Sequence, residues 1–266
     1  MVKSTFARVA LAAAMAIGLV TSLSATHSWG DYHWARTANP FALQVGDNVS
    51  STWDARLDQT ISDWNIYPSP LALAKVAGAA SRNCKPKAGR IEVCNAAYGN
   101  NGWLGIAQIW ITGGVHIAQA TSKMNDTYFS TATYNTTAWR NLVMCQEVGH
   151  TFGLAHQDEN FNNANLGSCM DYTSDPTTNQ HPNTHDYDQL VTIYTHLDSI
   201  TTATSTRLPQ AMPPAMGLID LDNPRNWGES IYRNANGRQE TFELDFGGGN
   251  RVVTEVFWAD PANDAR

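Results

Sequence analysis

The sequence predicts an α+β fold, on the strength of strand patterns in its first half and helical patterns around and after them. Segments rich in β-branched and aromatic residues between glycines and prolines predict strands at 41–45, 71–77, 90–95, 103–112 and 115–124. The apolar residues that recur at helical spacing between the first two strands are Trp53, Leu57, Ile61 and Trp64. Gly113 and Gly114 separate the last two strands and favour an antiparallel pair.

A second helix is predicted at 138–152, with Thr136 or Thr137 as its cap. Gln146 and His150 are four residues apart and therefore lie on one face of that helix. Gly153 can adopt the positive φ that ends a helix, which lets His156 return to the same point from a loop. Thr184 is predicted to cap a further helix.

The stretches Cys145–His156 and Ser168–Tyr172 resemble the metzincin clan of zinc endopeptidases, which includes the matrixins, astacins and serralysins. The clan signature is H-E-x-x-H-x-x-G-x-x-H followed by a Met-turn. The positions that match it are Glu147, His150, Gly153 and His156, with Met170 as the turn methionine. The resemblance implies a secreted zinc-dependent metalloendopeptidase that cleaves internal peptide bonds.

The resemblance also implies a role for each matching residue. Zinc would be bound by Gln146, His150 and His156, and Glu147 would be the general base that activates a metal-bound water. Tyr172 would assist at the metal or the oxyanion, unless it is a structural tyrosine beneath the turn. Gly153 and Met170 would be structural residues of the site.

Gln146 stands where the clan has its first zinc-binding histidine. An amide oxygen is a weaker zinc ligand than an imidazole nitrogen, so the predicted zinc affinity is lower. Three alternatives stay open: Gln146 binds zinc, Asp158 supplies the third ligand instead, or the metal site is lost. In the last case the chain would be a catalytically inactive protein that binds extended peptides or another extracellular partner.

The resemblance implies a twisted mixed sheet, an active-site helix, a Met-turn and a C-terminal helix within a catalytic domain at 26–200. In the clan an antiparallel edge strand binds the substrate, and residues 103–110 are either that edge or an interior strand. Residues 201–224 lack periodicity and predict a linker. Residues 225–266 predict a small β-hairpin appendage, because alternating apolar residues flank a triple-glycine turn.

The first 25 residues predict a signal peptide, since Lys3 and Arg8 precede a short apolar run and small residues. A membrane anchor is the alternative, but the run is short for a bilayer span. Removal of the signal peptide takes away Lys3 and Arg8, so the remaining chain has 15 of the 17 basic residues and all 24 acidic ones. Its formal charge of −9 argues against a nucleic-acid partner. We therefore expect a secreted or periplasmic monomer with no membrane span, acting on protein or peptide substrates.

Four cysteines in an exported chain predict two disulfides, for which three pairings exist. Cys84 and Cys94 flank a short turn, and Cys145 and Cys169 adjoin the two halves of the candidate site, so we pair 84 with 94 and 145 with 169. The loop at 158–165 is acidic and rich in amides. It offers calcium-type oxygen ligands without the spacing of a known calcium loop, and a solvated connection is the alternative.

Overall fold

The structure is a computed structural model that describes residues 27–79, 84–209 and 212–261; the predicted signal peptide lies outside these residues. The fold is α+β with a mixed sheet, as the sequence predicts at that level. The strands are β1 (His33–Trp34), β2 (Phe41–Asn48), β3 (Leu71–Ala77), β4 (Arg90–Ala96), β5 (Trp103–Thr112), β6 (His116–Asn125), β7 (Glu229–Arg233), β8 (Gln239–Gly247) and β9 (Asn250–Trp258). The helices are α1 (Asp54–Trp64), α2 (Asp126–Phe129), α3 (Thr137–His150), α4 (Thr184–Ile193) and α5 (Pro214–Leu218).

The strands lie in the order β3, β2, β4, β6, β5, β9, β8, β7, and β1 also pairs with β6. Strands β3, β2, β4, β6 and β1 pair in parallel, whereas β5, β9, β8 and β7 continue the sheet with antiparallel pairs. Gly113 and Gly114 have φ values of 62° and 88° at the turn from β5 to β6. This turn makes the predicted antiparallel pair.

Strand β5 is interior, because β6 pairs with one side of it and β9 with the other. The interpretation of residues 103–110 as an exposed edge is therefore wrong, and the interior alternative is correct. The C-terminal hairpin is β8 with β9, and it adds to the main sheet through β9. Residues 225–261 are thus built into the sheet, because an isolated hairpin would leave its apolar face in water.

The two faces of the sheet are covered by different parts of the chain. Helix α3 packs on one face beside α1, whose Trp64 indole donates a hydrogen bond to the Cys145 carbonyl at 3.2 Å. The other face, around Trp110 and Val256, is covered by apolar residues of 212–227. The Trp110 indole donates to the Met216 carbonyl at 3.1 Å. The segment predicted as a linker therefore contains α5 and buries part of the core.

The four cysteines form the two bridges that we predicted, Cys84–Cys94 and Cys145–Cys169. The second bridge joins α3 to the turn that contains Met170. In the part of the chain that the structure describes, no helix has the length and apolar character needed to cross a bilayer.

Candidate metal centre

Helix α3 carries three of the predicted site residues into the core. Its cap is Thr136, whose hydroxyl accepts a hydrogen bond from the Trp139 amide at 3.2 Å. The helix lies between α1 and the sheet, so Gln146, Glu147 and His150 are completely buried. The local sequence sets the helix, and packing on both sides excludes water from these polar side chains.

A glycine turn after α3 brings His156 back to His150. Gly153 has φ +93°, and a Cβ at this position would lie 2.0 Å from the Tyr32 carbonyl oxygen. The turn therefore needs glycine both for its backbone conformation and for its close approach to Tyr32. His150 Nε2 and His156 Nε2 lie 2.9 Å apart as a result.

Both imidazoles are held in the neutral form that binds metals. The Leu154 carbonyl lies 2.8 Å from His150 Nδ1, so Nδ1 carries the proton and Nε2 keeps its lone pair. Burial lowers the pKa of His150 to about 3. Burial also lowers the pKa of His156, and the neighbouring His150 ring adds to that effect. Two nitrogen atoms that can bind a metal therefore face each other in a buried site.

The third metal-type ligand at this point is Glu255 of β9, which our sequence analysis did not identify. Ligand atoms of His150, His156 and Glu255 all lie within 4.8 Å of one another, and Glu255 Oε1 is 3.9 Å from His156 Nδ1. Gln239 Nε2 and Thr241 Oγ1 donate to the two carboxylate oxygens at 2.6 and 2.5 Å. Burial raises the pKa of Glu255 to about 8, against these hydrogen bonds.

Gln146 and Asp158, the two residues considered for the third position, have other contacts. Gln146 Nε2 donates to the Cys169 carbonyl at 2.9 Å, while its Oε1 is buried without a hydrogen-bond partner in the described residues. The Asp158 carboxylate accepts hydrogen bonds from the Asn160 amide and the Asn163 side chain, at 2.6 and 3.0 Å. Asp158 is thus engaged within its own loop, which is the loop considered for calcium.

Glu147 and Tyr172 both end in polar atoms that are buried and lack a hydrogen-bond partner among the residues described. Burial raises the pKa of Glu147 well above its usual value, and the Glu255 carboxylate contributes. The Tyr172 ring stacks on His156 with centroids 4.2 Å apart, and burial raises the pKa of its hydroxyl. Tyr172 therefore lies against one of the two imidazoles, and Glu147 lies close enough to Glu255 for their charges to interact.

Met170 lies directly beneath α3. It is completely buried, and a Cβ added to Gly149 would come within 2.7 Å of its sulfur. His150 and His156 thus lie side by side, with the Tyr172 ring against His156 and Met170 next to Gly149 of α3.

A feature of the sequence could have indicated Glu255. Side chains two apart in a strand share a face, and Val253 and Phe257 on either side of Glu255 belong to the core around α3. A carboxylate in the core-facing row of a strand needs a specific partner. What that partner is depends on the pairing of β9 with β5, which local sequence does not reveal.

Compared with protein-family models, with curated proteins and with solved structures, the chain matches none of them. The candidate centre is therefore defined by its own residues and geometry.

Proposed function

We propose that the chain is a metal-dependent hydrolase, and more narrowly a zinc endopeptidase of the metzincin kind. The observation that carries the proposal is the pair of neutral, buried imidazoles of His150 and His156, 2.9 Å apart. Glu147, on the same helix as His150, has a buried carboxylate without a hydrogen-bond partner in the described residues. A glutamate that no protein group satisfies is costly to bury without a catalytic or ligand role. The resemblance of the local sequence to the metzincin signature supports the narrower proposal, a zinc endopeptidase.

The donor set fits a zinc ion. His150, His156 and Glu255 would hold it, since two imidazoles and a carboxylate form a ligand set used by catalytic zinc sites. The buried atoms near it that lack partners in the described chain are Gln146 Oε1, both Glu147 oxygens, His156 Nδ1 and the Tyr172 hydroxyl. An ion with its bound water would satisfy such atoms. When bound, zinc polarises the scissile carbonyl and lowers the pKa of a bound water.

Glu147 takes the proton of the attacking water and passes it to the leaving amine. Burial and Glu255 raise the pKa of Glu147, which makes its carboxylate a stronger base for this step. Tyr172 stays protonated because burial raises its pKa, and its hydroxyl donates to the developing oxyanion. Gly105 of β5 leaves room for Glu147, since a Cβ there would lie 2.5 Å from Glu147 Oε1.

Strand β9 covers the side of β5 next to the site, with Glu255 paired opposite Ala107. Under this proposal a peptide reaches Glu147 only when the β8–β9 hairpin moves aside. The expected initial rate on folded substrates is therefore low, and flexible substrates are cleaved first.

The test is cleavage of casein by the zinc-loaded protein beside Glu147→Gln and a control, Glu229→Gln, on the exposed strand β7. Loss of a general base should reduce cleavage by roughly 10²–10⁴-fold in Glu147→Gln, with zinc content unchanged. The control should cleave like the natural protein. Absence of cleavage together with zinc content that His156→Ala does not alter would refute the proposal.

One observation favours a second function, the binding of extended peptides without catalysis. Strand β7 is one of the two edges of the described sheet and is exposed along its whole length. Ile231 and Tyr232 on this strand border a cavity of about 320 Å³ that Trp29 and Tyr32 also line. A peptide could add to this edge as a further strand. Peptide binding that Ile231→Lys abolishes, with no cleavage, would support this function over hydrolysis.

A further inference from the structure

Three histidines and an aspartate converge at a point that the proposed reaction does not use. His33 is in β1, and His116 is opposite it at the start of β6. His196 and Asp198 come from the segment that follows α4. Three parts of the chain that are distant in sequence therefore bring metal-type ligands to one place.

The distances between the donor atoms suit one metal ion. His33 Nε2 lies 3.1 Å from His196 Nε2 and 3.5 Å from Asp198 Oδ1, and His196 Nε2 lies 3.9 Å from the same oxygen. His116 Nε2 lies 3.2 Å from Asp198 Oδ1 and can donate a hydrogen bond to this oxygen. Ligand atoms of a tetrahedral zinc ion with bonds of 2.0–2.1 Å lie about 3.3 Å apart.

The backbone sets which nitrogen of His33 can bind a metal. The Asp31 carbonyl lies 2.6 Å from His33 Nδ1, so Nδ1 carries the proton and the lone pair on Nε2 points at the other donors. His33 is buried. Its Nε2 and Asp198 Oδ1 are two acceptors 3.5 Å apart. A cation between them serves both.

The second oxygen of Asp198 is fixed independently. Its Oδ2 accepts hydrogen bonds from the Arg36 amide and guanidinium, at 3.2 and 3.0 Å. This arrangement aims Oδ1 at the histidines, as a supporting partner does for a ligand carboxylate. The site is also accessible, because His196 borders a cavity of about 710 Å³ and its side chain is 54 % exposed.

We propose that His33, His196 and Asp198 form a second zinc site, separate from the proposed catalytic centre. The ion would tie β1 to the segment after α4, and its role would be structural. The proposal does not depend on peptidase activity, since none of these residues belongs to the centre around His150.

The test compares the zinc content of the full-length protein with that of His196→Ala, His181→Ala and His150→Ala. His181 is a matched control, because it is 57 % exposed and also pairs with an aspartate, Asp63, at 2.8 Å. We expect His196→Ala to lose one zinc equivalent that His181→Ala and His150→Ala both keep. With cobalt in place of zinc, the tetrahedral absorption bands should weaken in His196→Ala and persist in His181→Ala.

The outcomes separate this site from the catalytic one. Zinc lost in His196→Ala but retained in His150→Ala supports the second site, even if the protein cleaves nothing. The same zinc content in His196→Ala and in the natural protein would overturn the proposal, whatever the result at His150. In buffer with excess zinc, Tm should fall in His196→Ala relative to His181→Ala, and a chelator should remove the difference.

Discussion

The proposed ligand role of Glu255 leads to a measurable loss of zinc affinity in the Glu255→Gln variant. The substitution keeps the size of the side chain and the acceptor oxygen for Thr241, but it removes the negative charge at the metal. Structural zinc sites with four ligands bind with roughly 10–16 kcal/mol, which is about 3 kcal/mol per ligand. We therefore expect zinc affinity to fall about a hundredfold.

The assay is competition for zinc between the protein and a chromophoric chelator at pH 7. The control is Glu243→Gln on β8, because Glu243 belongs to the same hairpin but pairs with Arg251 at 3.2 Å. Its zinc affinity should equal that of the natural protein. If Glu255→Gln binds zinc as tightly as the control while Gln146→Ala does not, the third ligand is Gln146 and the reasoning about Glu255 is refuted.

Three further predictions concern stability. Gly153→Ala should destabilise the protein by about 3 kcal/mol or more in urea unfolding. A left-handed alanine costs roughly 1–2 kcal/mol, and its Cβ would also collide with the Tyr32 carbonyl. A loss below about 1 kcal/mol would contradict the close approach of Gly153 to Tyr32. The double variant Cys145→Ser/Cys169→Ser should lose roughly 3–4 kcal/mol for a bridge of sequence separation 24, as measured against the natural protein with its disulfides intact. Burial raises the pKa of Asp186 to about 6 from 3.8. The protonated carboxyl therefore stabilises the folded protein by about 3 kcal/mol below pH 3.8, and this stabilisation is lost as the pH rises through 6. Asp186→Asn should therefore show a flatter dependence of unfolding free energy on pH across this range, and an unchanged slope would contradict the shift.

Elements with a strong local pattern were predictable. The third strand lies at Leu71–Ala77 as predicted, and α3 runs from Thr137 to His150 against a predicted range of 138–152. Side-chain periodicity and capping fix such elements, because they depend on neighbours a few residues apart. The helix predicted with Thr184 as its cap instead has Thr184 as its first residue. Its cap is Asn183, whose side chain accepts hydrogen bonds from the His185 and Asp186 amides.

The arrangement of the sheet was less predictable. Alternation along residues 251–258 indicates a strand but not its partner, and several strand edges can bury the same apolar row. The structure pairs β9 with β5, which makes the predicted edge an interior strand. Residues 212–227 cover the face behind it, which their irregular composition did not suggest.

The sequence by itself determined the pieces of the candidate centre that lie close together in the chain. One helix sets the relative positions of Gln146, Glu147 and His150, and the turn at Gly153 brings His156 back towards them. The sequence determines these positions because they depend on backbone geometry over a few residues. Only the tertiary structure decided that Glu255, about a hundred residues later, would meet the two imidazoles. It likewise decided that His33 and Asp198 would meet at a second cluster. Such meetings depend on which strands pair and which faces are buried, and that choice is made by the packing of the whole chain.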